Sequence, residues 1–125
     1  MGRIKADIKI SHRNRWAIFD SGSRNNYISE DVALDLPSFD LPKPQPVSLG
    51  GKVHSVSKCA YLDCEIEGLP IQGHARIIDE IGLDEDGKKI EAIIGALTMQ
   101  EWGIRLDLEE EKLDLSRYPK EFVEY

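Results

Sequence analysis

An aspartate that closes an apolar run and is followed at once by Ser-Gly is the feature of this 125-residue chain best suited to chemistry: Ala17-Ile18-Phe19-Asp20-Ser21-Gly22-Ser23. The apolar run desolvates the carboxylate on one side. Gly22 lets backbone approach closely, and the Ser21 hydroxyl can donate to neighbouring chain. A carboxylate so placed suits general acid/base work. The tripeptide alone is weak evidence, since at average residue usage Asp-Ser/Thr-Gly occurs in about one chain in twenty of this length. An aspartate that only accepts backbone hydrogen bonds in a turn gives the same letters. The chain holds no second Asp-Ser-Gly or Asp-Thr-Gly. If Asp20 works as one of a pair, its partner must come from another copy of the protein.

Other chemistries fit less well. Ser21 lacks the Gly-x-Ser-x-Gly elbow of a serine nucleophile. Cys59 and Cys64 fall on one expected strand, about 17 Å apart, whereas a disulfide needs Cα atoms within about 7 Å. Two reduced strand cysteines are therefore expected. A zinc site built from them with His54 and His74 has poor spacing, so neither metal nor cofactor is expected. His12 and His74 read as solvated. His54 lies in a glycine-bearing stretch where it has a minor claim to touch a substrate. Trp102 reads as core, and Glu109-Glu110-Glu111 as a solvated turn.

The elements that must position Asp20 are mostly strands. Lys5 to Ile10 alternates as a half-buried strand, Arg13-Asn14 reads as a turn, and Trp16 to Phe19 as a strand buried on both faces. Ser29 can cap a short helix over 31–36 that Pro37 stops. Residues 37–46, with four prolines, read as an extended loop. Leu49-Gly50-Gly51-Lys52 suits a mobile hairpin tip. Tyr61 to Glu67 puts Leu62, Cys64 and Ile66 inward, and Ile71 to Ile77 returns as an antiparallel partner. Asp84 to Lys88 reads as a charged surface loop. Ile93-Ile94-Gly95 ends a second apolar run. Thr98 and Glu101 match a capping box before a stop at Gly103.

The length allows one domain over residues 1–125 with one modest core, its tail at about 116–125. The net charge is −7, with no basic run, so nucleic acid and anionic membrane surfaces are not expected partners. The N-terminal residues lack the apolar core of a signal peptide, and no apolar stretch approaches membrane-spanning length. A cytoplasmic location is the default expectation.

Taken in order, these residues resemble the retropepsin-like aspartic proteases, from about Ile4 to Leu115. Phe19-Asp20-Ser21-Gly22-Ser23 looks like the catalytic loop, and Asn25 to Ser29 like the strand after it. Val47 to Val56, around Gly50-Gly51, looks like the flap, and Tyr61 to Ile78 like the long hairpin that follows. Ile93-Ile94-Gly95 resembles the apolar-apolar-Gly signature before a short helix. Ser23 stands where retroviral members usually carry Ala. The stretch from Asp79 to Glu91 is longer than a compact member needs, and the tail extends past the strand that normally builds the dimer interface.

The resemblance implies a mainly β, closed antiparallel barrel of the acid-protease type with one or two short helices. It implies a homodimer that hydrolyses peptide bonds with an Asp20 dyad. Ser21, Gly22 and Ser23 would support the active loop, and Leu49, Gly50, Gly51 and Lys52 would close over a peptide or protein substrate. A second reading keeps the fold but makes the chain a peptide-binding or dimerisation module. A third makes it a β-barrel small-molecule binder with a structural Asp20.

Overall fold

The computed structural model describes residues 2–122. The N-terminal alternation forms β1 (Arg3–Ile10) and β2 (Arg13–Asp20), paired without a break from Arg3–Asp20 to Ile10–Arg13. The turn is Ser11-His12, both at positive φ (48° and 66°), which matches the twist of a two-residue hairpin. Arg13 and Asn14, expected as the turn, belong to β2. Ala17, Ile18 and Phe19 are buried as the apolar run requires.

β3 (Asn26–Ser29) leads into α1 (Glu30–Ala33), whose N-cap is Ser29 accepting from the Val32 N–H. The helix is shorter than 31–36 because Asp35 and Leu36 donate to Val32 and Ala33 in tighter turns. There follow β4 (Ser38–Leu49), β5 (Lys52–Ile66), β6 (Leu69–Ile78), β7 (Gly82–Leu83), β8 (Lys89–Ile90), β9 (Ala92–Ile94), α2 (Ala96–Trp102), β10 (Arg105–Asp107) and β11 (Lys112–Asp114). The proline-rich stretch is thus a strand and not a loop. β4 lies at a sheet edge, where missing N–H donors are tolerated, and its pairing with β5 shifts register between Asp40 and Gln45.

Seven strands form one sheet in the order β1-β2-β9-β3-β6-β5-β4, and β1 meets β5 again through Lys9 and Glu65. This departs from the expected antiparallel barrel in its strand directions. Six strands come round into a ring, but only one residue pair joins its ends. The pairings β2–β9 and β3–β6 are parallel, because long crossovers rather than hairpins join those strands. The core inside holds Phe19, Ile28, Leu62, Ile66, Ile71 and Ile94, all fully buried. Cys59 and Cys64 are buried free thiols. Burial, helped by Asp63 and Glu65, pushes the Cys64 thiol up to about 12, which makes it unreactive.

α2 ends as expected, with Gly103 in the left-handed conformation (φ 67°), but its start is not a capping box. The N-cap is Gly95, and Thr98 Oγ1 is turned inward to accept from Asn26. The tail packs back on its own chain. Tyr118 stacks on Trp102 and donates to the Pro70 carbonyl, and Phe122 meets Trp102 edge-on. Residues 123–125 of the tail lie outside the described residues. Among the described residues no helix is long and apolar enough to cross a membrane.

Two polar clusters join distant parts of the chain. The Arg15 guanidinium, almost fully buried, is held by Asp31 (2.9 Å), Asp35 (3.2 Å) and Glu91 (3.2 Å), fastening α1 and the approach to β9 onto β2. The charged stretch after Gly82 is docked rather than free. The Trp16 indole donates to Asp84 Oδ2 (2.9 Å), Lys88 Nζ stands 3.8 Å from the Trp16 ring centroid, and Lys5 reaches Glu85 at 2.7 Å.

The N–H of Lys88, then the Trp16 indole, hold the Asp84 carboxyl below the usual carboxylate range. A carboxyl with a depressed folded-state value stabilises docking above its unfolded value and loses that contribution as pH falls through the folded one. The Trp16 indole 1H–15N resonance should therefore be constant at neutral pH and move toward its solvent-exposed position on acidification below about pH 4. Asp84→Asn should shift it already at pH 7, with the Trp102 indole unmoved in both cases.

Candidate active site

Asp20 is the last residue of β2, paired in register with Arg3 at the start of β1. Beyond it the strand cannot continue, because Ser21-Gly22 turns the chain away. The carboxylate folds back over that turn. Its Oδ1 accepts from the Gly22 N–H (2.8 Å), and its Oδ2 meets Arg3 Nε (3.1 Å). The Asp20 side chain is 15% exposed and that of Arg3 71%. The first contact is the turn geometry any aspartate can make. The rest of the surroundings make the position unusual.

Ser21 is tied to the N-terminal residues: its N–H donates to the Gly2 carbonyl (3.0 Å), and its Oγ accepts from the Gly2 N–H (2.8 Å). The Ser23 N–H donates to the Asp20 carbonyl (3.1 Å), and its hydroxyl to that of Asn25 (2.9 Å). α2 then clamps the loop from behind. The Ala96 N–H donates to the Ser23 carbonyl (2.6 Å) and the Leu97 N–H to that of Arg24 (3.2 Å). The first amides of a helix have no partner within it, and here the loop carbonyls take them.

This contact explains the glycine in Ile93-Ile94-Gly95. A β-carbon at position 95 would stand 2.7 Å from the Ser23 carbonyl oxygen and closer still to that of Asn25. Ile93 pairs with Ile18 and Tyr27, and Ile94 with Phe19, so β9 lies between β2 and β3 and carries α2 to the loop.

Asn26, which sequence reasoning passed over, completes the clamp. It is buried, accepts from the Gly95 N–H at Oδ1 (2.9 Å), and donates from Nδ2 to Thr98 Oγ1 (2.7 Å) and the His74 carbonyl (3.0 Å). Its partners lie 48 to 72 residues away. An Asn beginning a strand among buried residues is the faint signal that could have found it.

The hairpin tip stands opposite. Gly50 (φ 57°) and Gly51 (φ 81°) form the two-residue turn between β4 and β5, where only left-handed backbone fits the strand twist. Asp20, Ser23 and Ile93 share with Leu49, Gly50 and Lys52 one cleft of about 380 Å³, walled further by Arg3, His54 and Ile81. The other expected site residues do not line it. Ile94 and Gly95 are buried, Gly22 is exposed in the turn after Asp20, Gly51 lies at the hairpin turn itself, and Ser21 faces a different depression beside Met99 and Leu108. His54 is buried, with Nδ1 3.2 Å from Asp79 Oδ1. His74 is exposed and meets Phe39 edge-on. Among the described residues no cluster of three or more His, Cys, Asp or Glu side chains could hold a metal ion.

No family model matches the chain, and no curated protein matches it in sequence. Among solved structures it is similar to the crystal structure of the retroviral protease-like domain of Ddi1 from Leishmania major, with a TM-score of 0.66 over 93% of this chain and 90% of that one. The fold is retropepsin-like. The two sequences are 15% identical, so the likeness speaks for the retropepsin-like fold alone.

The clamp should be sensitive to single atoms. Gly95→Ala should destabilise the protein by about 3 kcal/mol or more, because the obstructing atoms are backbone. Asn26→Ala should cost on the order of 2 kcal/mol by leaving buried partners unpaired. Denaturant unfolding measures both. Amide resonances of residues 21–25 should shift in Asn26→Ala while those of the β10–β11 hairpin stay put.

Proposed function

We propose that the chain is an aspartic endopeptidase that acts as a homodimer, with Asp20 of each copy forming the dyad. One observation carries this reading: in a retropepsin-like fold, Asp20 sits on a turn clamped from behind and faces the β4–β5 hairpin tip across a cleft. Two carboxylates within about 3 Å cannot both ionise cheaply, so such a pair holds one proton between them. The ionised member takes a proton from a bridging water as that water adds to the peptide carbonyl, and the protonated member donates to the carbonyl oxygen. The Gly22 N–H, already bonded to Oδ1, holds one oxygen in place throughout. The Gly50-Gly51 tip would close over an extended peptide, and Leu49, Ile81 and Ile93 would face its apolar side chains. The chain carries one Asp-Ser-Gly, so the dyad needs a second copy.

The Arg3–Asp20 contact favours a second reading, a peptide-binding or dimerisation module, since Arg3 occupies an oxygen that a second carboxylate would approach. The Arg3 side chain is mostly exposed, so its guanidinium can swing aside on dimerisation.

Asp20→Asn should retain the fold and the dimer but lose peptide hydrolysis by at least about 10²–10⁴-fold, read on a peptide library by mass spectrometry. A crystal structure should place the two Asp20 carboxylates about 3 Å apart across a two-fold axis. Hydrolysis unchanged by Asp20→Asn would end the proposal. Peptide binding without cleavage, from a dimer whose Asp20 residues lie far apart, would favour the module.

A further inference from the structure

We infer that His54, braced by Asp79, is the specificity-determining residue of the Asp20 cleft: it forms the wall that stops the cleft from running into a second, larger one. The inference rests on the endopeptidase reading, for which it names the class of side chain accepted.

The second cleft, of about 600 Å³, adjoins the first along β5 and is lined by Leu34, Val53, Lys58, Ile77 and Asp79. Among the described residues only Lys52 and His54 line both clefts. They differ in what they can do as a partition. Lys52 is exposed near the hairpin tip, and its long side chain can move aside. His54 is 9% exposed, and its ring is held by Nδ1 to Asp79 Oδ1 at 3.2 Å. Strand alternation explains the placement: Lys52, His54 and Val56 share one face of β5, and Val56 is fully buried.

Asp79 supplies the other half of the wall. It follows β6 directly, faces the larger cleft, and is succeeded by Glu80 and Ile81 on the side of the Asp20 cleft. The Glu80 N–H is the main cause, followed by Lys52 and His54, that holds the Asp79 carboxyl below its usual range. It therefore stays an ionised acceptor for the ring through neutral pH. The pair ties the second strand of the flap hairpin to the end of β6 and sets the depth of the Asp20 cleft.

The cleft's apolar walls are branched aliphatics, Ile18, Leu49, Ile81, Ile90 and Ile93, beside the polar Arg3, Ser23, Lys52 and Glu80. With the imidazole ending the cleft at position 54, such walls favour a branched aliphatic side chain over a longer aromatic one. Removing the imidazole joins the two clefts, so that a phenylalanine or tryptophan side chain can extend past position 54 toward Leu34 and Ile77.

The test uses one peptide series that varies a single residue at the scissile bond through Val, Leu, Phe and Trp. Wild-type protein should prefer Val and Leu. His54→Ala, with His54→Val as a second small replacement should the first fail to fold, should raise kcat/KM for Trp relative to Leu by about ten-fold or more. His54→Gln, which keeps bulk and a donor to Asp79, should retain the wild-type ratio, and Asp79→Ala should move it toward that of His54→Ala. Binding of the same peptides to the Asp20→Asn form, with and without the His54 change, gives the ratio without hydrolysis. Absence of cleavage by every variant would count against the endopeptidase reading alone. A Trp-to-Leu ratio left unchanged by the small replacements, or no binding of any peptide, would overturn the assignment of His54.

Discussion

The close approach of the α2 N-terminus to the Asp20 loop is the contact on which the rest of the site depends. Backbone meets backbone there with no side chain between: two helix amides take loop carbonyls, and Gly95 leaves the gap they need. Each such hydrogen bond contributes only about 0.5–1.5 kcal/mol net. Their value lies in direction, because the two amides and two carbonyls pair together in one loop conformation. The Asn26 side chain bonds both the helix side and the β6 backbone, so the loop is fixed relative to the sheet as well as to the helix.

This arrangement divides the site into a rigid half and a mobile one. On the rigid side, β2 is held between β1 and β9, and the loop it delivers is pinned from behind. On the mobile side, the β4–β5 tip carries two glycines whose surroundings are empty, and β4 is an exposed edge strand with interrupted pairing. The proposed endopeptidase, which would admit an extended chain and then hold reacting groups in place, needs this asymmetry. The His54–Asp79 pair sits between the two halves, where the mobile hairpin becomes part of the fixed sheet.

Away from the site, buried or docked charge does work that apolar contact does elsewhere. Arg15 gathers three carboxylates, from α1, the turn after it and the link between β8 and β9, and Trp16 on the next residue receives Asp84 on its indole and Lys88 on its face. The long acidic stretch after β6 is thereby laid along β2, close behind the strand that carries Asp20. That stretch is a brace rather than a free loop.

Local chemistry made much of this legible from residues alone. An acid ending an apolar run before Ser-Gly, a glycine pair between alternating segments, and a glycine after two isoleucines each describe their own few residues, and the positions of Asp20, the hairpin tip and Gly95 followed. Tertiary structure decided whatever depends on partners far along the chain. Prolines 42, 44 and 46 read as loop because the rule against proline in strands does not know that β4 is an edge. Thr98 read as part of a capping box because its actual partner, Asn26, lies 72 residues away. The ring became mixed rather than antiparallel because strand neighbours are chosen by crossovers, which hydrophobic alternation does not record. The wall at His54 was beyond sequence for the same reason: a cleft is bounded by residues that only folding brings together.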